Sequence, residues 1–385
     1  MAEKNLDLNE IRERINKIDD QILALFMERM RTVVDVAEYK RENNMPIFHP
    51  GRERAILERM SENAGEEMED YVRLLYSTLF DVSRSYQARM LGLGKGNLSE
   101  KIKTALDKTP KMFPKKAIVA CQGVEGAYSQ QACDRLFSAA NIMYFKKFEG
   151  VFNAVEQGLC KYGILPIENS THGSVNEVYD LMKHFNFYIV KSLKLKVDHA
   201  LLAKAGTRPE DINEIFSHSQ AIGQCSEYLK KFPNAKITIC ENTAAAAKAV
   251  SESDRTDIAS ISSPVCAQHY GLKVLASCIQ NSDANFTRFI CISKEMEIYP
   301  GAEKISLMLS TRHTPGSLYS LISKFSVLGL NLTKLESRPI PGSDFEFMFY
   351  FDMEASVYSD AVLSLLDELS DAPELFVFLG SYSEV

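Results

Sequence analysis

The first forty residues carry an uninterrupted helical pattern, which limits the possible folds more than any other feature of the chain. Apolar residues recur every three or four positions from residue 8 to about 43. They include Ile11, Ile15, Ile18, Ile22, Leu25, Val33 and Val36. No Pro or Gly interrupts the pattern before Pro46. At about 1.5 Å per residue such a helix is longer than a small domain is wide, so we expect a partner subunit to pack along it.

Charged residues on this helix point to a site for a small anion. Arg29 lies eleven residues after Ile18, so at about 100° per residue it falls on the apolar line, and Lys40 falls there too. Cations on an apolar stripe are costly unless they meet an anion, although long side chains can also reach solvent from the edge of a stripe. Two more helices are expected, after Pro50-Gly51 and from about residue 66 to 90. The last of these carries Ser83 and Gln87 at i, i+4.

These residues resemble the helical chorismate mutases, entwined dimers with two shared active sites. The match lies in Leu8-Asn-Glu-Ile-Arg12, Glu28-Arg29, Lys40, Pro50-Gly-Arg52-Glu53 and Ser83-x-x-x-Gln87. The implied catalytic residues are Arg12, Arg29, Lys40, Arg52, Glu53, Ser83 and Gln87. The resemblance implies that the partner's Arg12 joins Arg29 and Lys40 on the chorismate carboxylates. A pericyclic rearrangement needs only a fixed conformer and donors where charge develops. His49 stands where many members carry Asp, and its role is open.

From residue 117 onward, short apolar strands alternate with amphipathic helices, which is typical of an α/β protein. Polar helix starts follow several strands, at residues 123–129, 165–174, 216–220 and 242–243. Each alone is a simple helix cap, and Ser174 with Glu177 predicts a capping box. Several such N-termini converging on one cleft would instead bind a carboxylate-bearing ligand.

The motif Asn285-Phe-Thr287-Arg-Phe289 opens a buried apolar strand. In a regular strand Thr287 shares one face with Phe289, while Phe286 and Arg288 take the other. Thr and Phe are favoured strand residues, so the motif alone is also compatible with a purely structural role. A hydroxyl desolvated beside an aromatic ring is a candidate proton donor.

Together with Pro166-Ile-Glu-Asn-Ser170, Asp198-His-Ala-Leu-Leu202 and Ser217-His-Ser-Gln220, this motif resembles prephenate dehydratase over residues 116 to 295. The resemblance implies two α/β lobes, like a periplasmic binding protein, with the active site between them. It makes Thr287 the residue that assists departure of the ring hydroxyl. The predicted substrate-binding residues are Glu168, Asn169, Ser170, Thr171, Ser217, His218, Gln220, Gln224, Thr243, Phe286 and Arg288. For His199 and His218 a structural role is favoured over proton transfer.

Residues 303 to 385 show a βαββα order with a final strand, which fits a ferredoxin-like α+β sandwich. This segment resembles an ACT domain. Gly316-Ser-Leu-Tyr and Glu336-Ser-Arg-Pro339 match the segments that bind phenylalanine in dehydratases of this type. The implied allosteric residues are Gly316, Ser317, Leu318, Asn331, Glu336, Ser337, Arg338 and Pro339.

The three resemblances occur in the order found in the bifunctional P-proteins. The predicted boundaries are 1–91 for the helical mutase, 92–115 for a linker, 116–295 for the dehydratase and 303–385 for the ACT domain. The family implies conversion of chorismate to prephenate and then to phenylpyruvate, inhibited by phenylalanine, in a homodimer or higher oligomer. Two alternatives are a dehydratase that uses arogenate and an amino-acid-sensing binding protein with decayed catalytic modules. Intact Thr287 and mutase residues argue against decay.

Composition agrees with an enzyme that acts on small molecules. The 44 basic and 51 acidic residues give a net charge of -7, which disfavours nucleic acid or an anionic membrane as a partner. The N-terminus lacks the apolar segment of a signal peptide, and the eight cysteines contain no Cys-x-x-Cys pair. We therefore expect a cytoplasmic protein with reduced thiols and with neither metal nor organic cofactor.

Overall fold

The structure, a computed structural model, describes residues 7–43, 45, 49–90, 97–311, 313–314, 316–340, 347–371 and 375–385. The chain forms two compact units. The first comprises Met1–Lys101, Thr311–Asn331 and Tyr358–Phe376, and the second comprises Ile102–Ser310, Leu332–Val357 and Val377–Val385.

Helices account for the N-terminal part of the chain and alternate with strands after it. The helices are α1 Leu8–Glu42, α2 Pro50–Ala64, α3 Glu69–Met90, α4 Asn97–Lys108, α5 Tyr128–Leu136, α6 Phe148–Glu156, α7 Asn176–Met182, α8 Ser219–Gln224, α9 Ser226–Leu229, α10 Thr243–Glu252, α11 Val265–Tyr270, α12 Ser317–Val327 and α13 Asp360–Ser370. A short 3-10 helix spans Pro209–Asp211. The strands are β1 Lys116–Gln122, β2 Ala139–Phe145, β3 Tyr162–Asn169, β4 Gly173–Ser174, β5 Tyr188–Lys196, β6 Ala200–Ala203, β7 Glu214–Ser217, β8 Lys236–Ile239, β9 Ile258–Ser262, β10 Lys273–Ala276, β11 Phe286–Ser293, β12 Lys304–Ser310, β13 Asn331–Pro339, β14 Phe347–Glu354 and β15 Phe376–Tyr382.

The long N-terminal helix is confirmed as α1, 35 residues in length. It begins after Asp7, whose carboxylate accepts a hydrogen bond from the backbone N–H of Asn9 at 2.8 Å. Its isoleucines at positions 15, 18 and 22 are 50%, 52% and 58% exposed. An apolar stripe this open is unusual on a stable helix unless another surface covers it. Among the described residues, every helix is too short or too polar to cross a membrane.

The second unit contains two α/β lobes, each built on its own sheet. The first sheet has the order β2-β1-β3-β11-β5, with β4 paired to β3, and the second has the order β10-β6-β9-β7-β8. The chain leaves the first sheet after β5 and returns to it as β11, which runs antiparallel between β3 and β5. The Thr-Arg-Phe motif therefore lies in the interior of the first sheet, next to the connection from the second lobe.

Both faces of β11 are buried, in different cores. Phe289 and Cys291 pack with Phe137 and other residues of one core. Ile290 and Ile292 pack in a second core that also contains Met308, Met348, Tyr350 and Tyr382 from the C-terminal strands. Those strands form a four-stranded sheet with the order β13-β14-β12-β15. The C-terminal sheet thus covers the face of the first sheet that carries Ile290 and Ile292.

The C-terminal segment has the predicted element order, β12-α12-β13-β14-α13-β15. Its helices fall in the first compact unit and most of its strands fall in the second. The domain boundaries drawn from the sequence stay predictions. Residues 92–96 of the expected linker lie outside the described residues, and α4 occupies residues 97–108 of it.

One local prediction was wrong. Helix α7 begins after Val175, and no side chain caps its N-terminus. The hydroxyl of Ser174 instead donates to Glu336 at 2.7 Å and accepts from Lys334 at 2.8 Å. A tertiary contact has replaced the local capping box, because Ser174 lies beside strand β13.

Candidate active sites

Thr287 lies directly opposite Asn169 where β11 and β3 pair. The Nδ2 of Asn169 donates to Thr287 Oγ1 at 2.9 Å and to Asn285 Oδ1 at 2.8 Å. Asn285 is buried, and its own Nδ2 lacks a hydrogen-bond partner among the described residues. A buried donor of this kind usually finds a partner, and the Oδ1 of the same Asn285 amide shares the Asn169 Nδ2 with Thr287 Oγ1. Asn285 is the first residue of the Asn285-Phe-Thr287-Arg-Phe289 motif, but it was not among the predicted site residues.

The side-chain oxygen of Asn169, Oδ1, holds the loop after β3 through hydrogen bonds. Its Oδ1 accepts from the backbone N–H groups of Thr171 and His172, at 3.0 and 3.1 Å, and from Thr171 Oγ1 at 2.7 Å. Such an Asx turn fixes the side-chain amide, so the Nδ2 that contacts Thr287 is fixed as well. Ser170 is tied to the same region, since its Oγ donates to the carbonyl of Ala284 at 2.8 Å.

A residue from the second lobe reaches this loop. Gln224 Nε2 lies 3.2 Å from Thr171 Oγ1 and 3.1 Å from His172 Nδ1, while its Oε1 lies 2.7 Å from His199 Nε2. Burial lowers the pKa of His199, which is only 2% exposed, so the ring is held in its neutral form. A neutral ring that donates from Nε2 fixes the Gln224 amide so that its Nε2 faces the first lobe. The structure thus brings Asn169, Thr171 and Gln224 together with Thr287.

Other predicted substrate contacts lie outside this bonded cluster. Ser217 is buried and its Oγ donates to the carbonyl of Ile261 at 2.7 Å, while His218 caps helix α8. Thr243 is the first residue of α10, whose cap is Asn242, and Gln220 is exposed on α8. Phe286 is exposed at the start of β11. Substrate binding by these residues stays a prediction.

Arg288 and Glu168 lie on the same two strands, β11 and β3, but on the face that the C-terminal sheet covers. The alternation along β11 is the expected one, with Thr287 and Arg288 on opposite faces. Arg288 is buried and contacts Asp352, Tyr382 and Glu384. The carboxylate of Glu168 pairs with Lys334 Nζ at 2.8 Å. Both were predicted to bind substrate, but in the structure their charges are engaged by the C-terminal sheet.

In the first unit, Arg29 and α3 form a second polar site. Arg29 Nη1 donates to Ser83 Oγ, and its guanidinium stacks 5.8 Å from the Phe80 ring centroid. Burial lowers the pKa of Arg29, partly offset by Tyr76 and Glu53. Gln87 is buried, donates from Nε2 to the carbonyl of Ser83 at 3.2 Å, and leaves its Oε1 without a hydrogen-bond partner among the described residues.

Glu53 meets a cation that the sequence reasoning missed. Arg84 Nη1 lies 2.5 and 2.6 Å from the two Glu53 carboxylate oxygens, and its Nη2 donates to Asp81. The i, i+3 spacing of Asp81 and Arg84 on α3 was the available signal.

Arg12 and Arg52 are exposed and Lys40 is half-buried. His49 caps α2, since its Nδ1 accepts from the backbone N–H of Arg52 at 3.1 Å.

The predicted allosteric residues occupy two places. Gly316 has a left-handed φ of 83° immediately before α12, followed by Ser317 and Leu318, and Asn331 begins β13. On β13, Arg338 pairs with Asp180 at 2.9 Å, which lowers the pKa of that carboxyl, and Glu336 accepts from Ser174. Ser337 and Pro339 alternate with them and are exposed.

Comparison with known proteins defines the class of each region. A family model described as chorismate mutase type II matches residues 11–88, and one described as prephenate dehydratase matches residues 119–297. These ranges contain the Arg29–Ser83 site and the Thr287–Asn169 site respectively. The chain therefore carries a chorismate mutase domain and a prephenate dehydratase domain.

Full-length similarity then identifies the family. The bifunctional chorismate mutase/prephenate dehydratase of Escherichia coli (strain K12) is 32% identical over 97% of this chain and 95% of its own length. The chain belongs to the bifunctional chorismate mutase/prephenate dehydratase family. A chloroplastic Arabidopsis thaliana protein named arogenate dehydratase/prephenate dehydratase 2 is 36% identical over 69% of this chain and 72% of its own length. A prephenate dehydratase from Arthrobacter aurescens, solved in complex with L-Phe, shares 27% identity and a TM-score of 0.63 over 69% of this chain and 90% of its own.

Proposed function

We propose that the two-lobed region removes carbon dioxide and water from prephenate, with Thr287 as the group that assists departure of the ring hydroxyl. The observation that carries this proposal is the Asn169 Nδ2 to Thr287 Oγ1 hydrogen bond of 2.9 Å. Because Oγ1 accepts this bond, the hydroxyl proton points away from Asn169 and is available to the leaving oxygen. Aromatisation of the ring drives the reaction, so the protein needs only to hold the substrate and supply that donor.

The helical region is proposed to rearrange chorismate to prephenate. Arg29, bonded to Ser83, would hold a carboxylate, and Lys40 with Gln87 would face the ether oxygen, where negative charge develops as the C–O bond breaks. Arg12 would come from a second copy of the chain, giving a homodimer. The exposed isoleucines of α1 support this assembly, because an apolar stripe on a helix of 35 residues favours a covering partner.

Phenylalanine is proposed as the feedback inhibitor, acting through the C-terminal segment as an ACT domain. Support comes from the βαββαβ element order, the sheet order β13-β14-β12-β15 and the L-Phe complex of the Arthrobacter relative. Inhibition requires a state that phenylalanine binds more tightly than the active one. Arg338→Ala should weaken inhibition while leaving uninhibited turnover unchanged. Unchanged sensitivity to phenylalanine would contradict this site.

A time course from chorismate tests these proposals together. Chorismate, prephenate and phenylpyruvate would be followed separately, with and without phenylalanine. Transient prephenate followed by phenylpyruvate, suppressed by phenylalanine, is the expected result. Prephenate that accumulates unchanged would support the mutase and contradict the dehydratase proposal for this substrate.

Arogenate is a second candidate substrate for the two-lobed region. The Arabidopsis relative, named for both arogenate and prephenate, favours including it. The two compounds differ in carrying an amine or a keto group, so the specificity constants for both, measured on one preparation, decide between them. A higher value for arogenate would make phenylalanine itself the product.

A further inference from the structure

The paired strands β3 and β11 present different chemistry on their two faces. Thr287 pairs with Asn169, and the next cross-strand pair is Arg288 with Glu168. Successive residues of a strand point to opposite faces, so the hydroxyl and amide share one face and the two charges share the other. Any shift of the charged pair therefore moves the hydroxyl and amide with it.

Arg288 is held by three groups from the C-terminal part of the chain. Its Nη1 donates to Asp352 on β14, its Nη2 donates to the Tyr382 hydroxyl at 2.8 Å, and its Nε lies 2.9 Å from Glu384 without hydrogen-bond geometry. Ser306 joins the group through Asp352 and Tyr382. The Arg288 side chain is only 7% exposed. Burial alone would lower its pKa, but Tyr382, Asp352 and Glu384 outweigh burial and raise it.

Glu168 is held on the same face by β13. Lys334 Nζ lies 2.8 Å from its carboxylate and 2.8 Å from Ser174 Oγ, and Ser174 donates in turn to Glu336 at 2.7 Å. The Lys334 side chain is mostly buried. The C-terminal sheet therefore contacts both strands of the pair, each at the residue next to a member of the Thr287–Asn169 contact.

We propose that Arg288 and Glu168 are positioning residues of the dehydratase, which fix Thr287 against Asn169 by anchoring β11 and β3 to the C-terminal sheet. We call the ion pairs of Arg288 with Asp352 and Glu384, together with that of Glu168 with Lys334, the back-face clamp. The inference rests on the proposed role of Thr287. A displacement of about 1 Å at a reacting group costs on the order of 100-fold in rate, so a loosened clamp lowers turnover without removing a substrate contact.

The test measures kcat and KM for prephenate in Arg288→Lys, Asp352→Asn and Lys334→Gln, with mutase activity assayed on the same preparations. We expect kcat to fall about 10- to 100-fold in Arg288→Lys and Asp352→Asn, and less in Lys334→Gln, with KM nearly constant. The Arg288→Lys/Asp352→Asn double variant should be no slower than the worse single variant, because both changes break the same Arg288–Asp352 contact. Lys161→Gln is the matched control, since Lys161 forms an ion pair with Glu297 at 2.9 Å in the first lobe.

Two results would overturn the proposal. A tenfold or larger rise in KM for Arg288→Lys, with wild-type kinetics for Asp352→Asn, would return Arg288 to substrate binding. Wild-type kcat in all three variants would remove the clamp from catalysis. If Arg288→Lys and Asp352→Asn fail to fold, judged by circular dichroism, Lys334→Gln, which leaves the Arg288 contacts intact, decides alone. Failure of the proposed function is separate, because it appears as full activity in Thr287→Ala or as an inactive wild type.

Discussion

The two candidate sites are built from different kinds of side chain. The site in the helical unit is built from long charged groups, with Arg29 on Ser83 and Arg84 between Glu53 and Asp81. The site in the two-lobed unit is built from neutral groups, with Thr287, Asn169, Asn285 and Gln224 joined through amides and hydroxyls. A rearrangement of a dianion depends on charges that hold one conformer, whereas loss of a hydroxyl depends on where one donor stands.

The two sites also differ in whether a single chain supplies all of their residues. Asn169 and Thr287 are neighbours in a single sheet, and Gln224 reaches them from the second lobe of the same chain. In the helical unit, Arg12 is exposed on α1, and so is the isoleucine stripe. We infer that the dehydratase site is complete within one chain and that the mutase site requires two. Single substitutions can therefore separate the two sites along these differences.

The largest effect is expected from Thr287→Ala. Loss of the hydroxyl removes the proposed donor, so dehydratase turnover should fall about 10²- to 10⁴-fold, the usual range for a general acid. Mutase activity should be unchanged, and Thr287→Ser should retain most dehydratase activity because it keeps the hydroxyl. Initial rates with prephenate and with chorismate on one preparation measure both. Equal loss of the two activities would mean that the sites are not separate.

Lys40→Ala should have the opposite selectivity. The ammonium is proposed to stabilise the charge that develops on the ether oxygen, and loss of one such donor costs about 10²- to 10³-fold. Chorismate disappearance should slow by that factor, while added prephenate is still converted at the wild-type rate. Lys17→Ala, on the same helix, is the matched control. A similar loss in both lysine variants would point to general damage to α1.

Ile18→Glu tests whether the mutase site requires two chains. A charge on the exposed stripe should disfavour the dimer by a few kcal/mol, as expected for a central interface residue. Light scattering should show a lighter species, and mutase activity should fall at least tenfold and recover as protein concentration rises. Dehydratase activity should persist. Asn16→Glu, which adds the same charge about 200° away around the helix, should change neither property. Full mutase activity in a monomer would contradict the shared site.

Local sequence patterns predicted what depends on local geometry. The spacing of apolar residues gave α1 nearly to the residue, and strand alternation placed Thr287 and Arg288 on opposite faces. The roles of Arg288 and Ser174 depend instead on distant parts of the chain. Arg288 meets Asp352 and Tyr382, which lie 64 and 94 residues further on, and Ser174 meets Glu336 across 162 residues. A short motif carries no information about which strand packs behind it, so Arg288 was assigned to substrate binding and Ser174 to a local capping box.

The smallest effect concerns the charges behind the dehydratase site, and it is confined to acid pH. Burial would raise the pKa of Glu384, but hydrogen bonds from Lys304 and Lys194, together with Arg288, lower it to about 2. A carboxyl group whose pKa is lowered in the folded protein stabilises the fold at pH values above its unfolded pKa of about 4.5. This contribution is lost as the pH falls towards 2. Wild-type protein should therefore have a higher Tm than Glu384→Gln at pH 6, with the gap closing between about pH 4.5 and 2. Glu303→Gln, a change at an exposed carboxylate outside this network, should track wild type throughout. A gap between wild type and Glu384→Gln that stays constant down to pH 2 would mean that packing, and not the charge of Glu384, holds this end of the chain against β5 and β12.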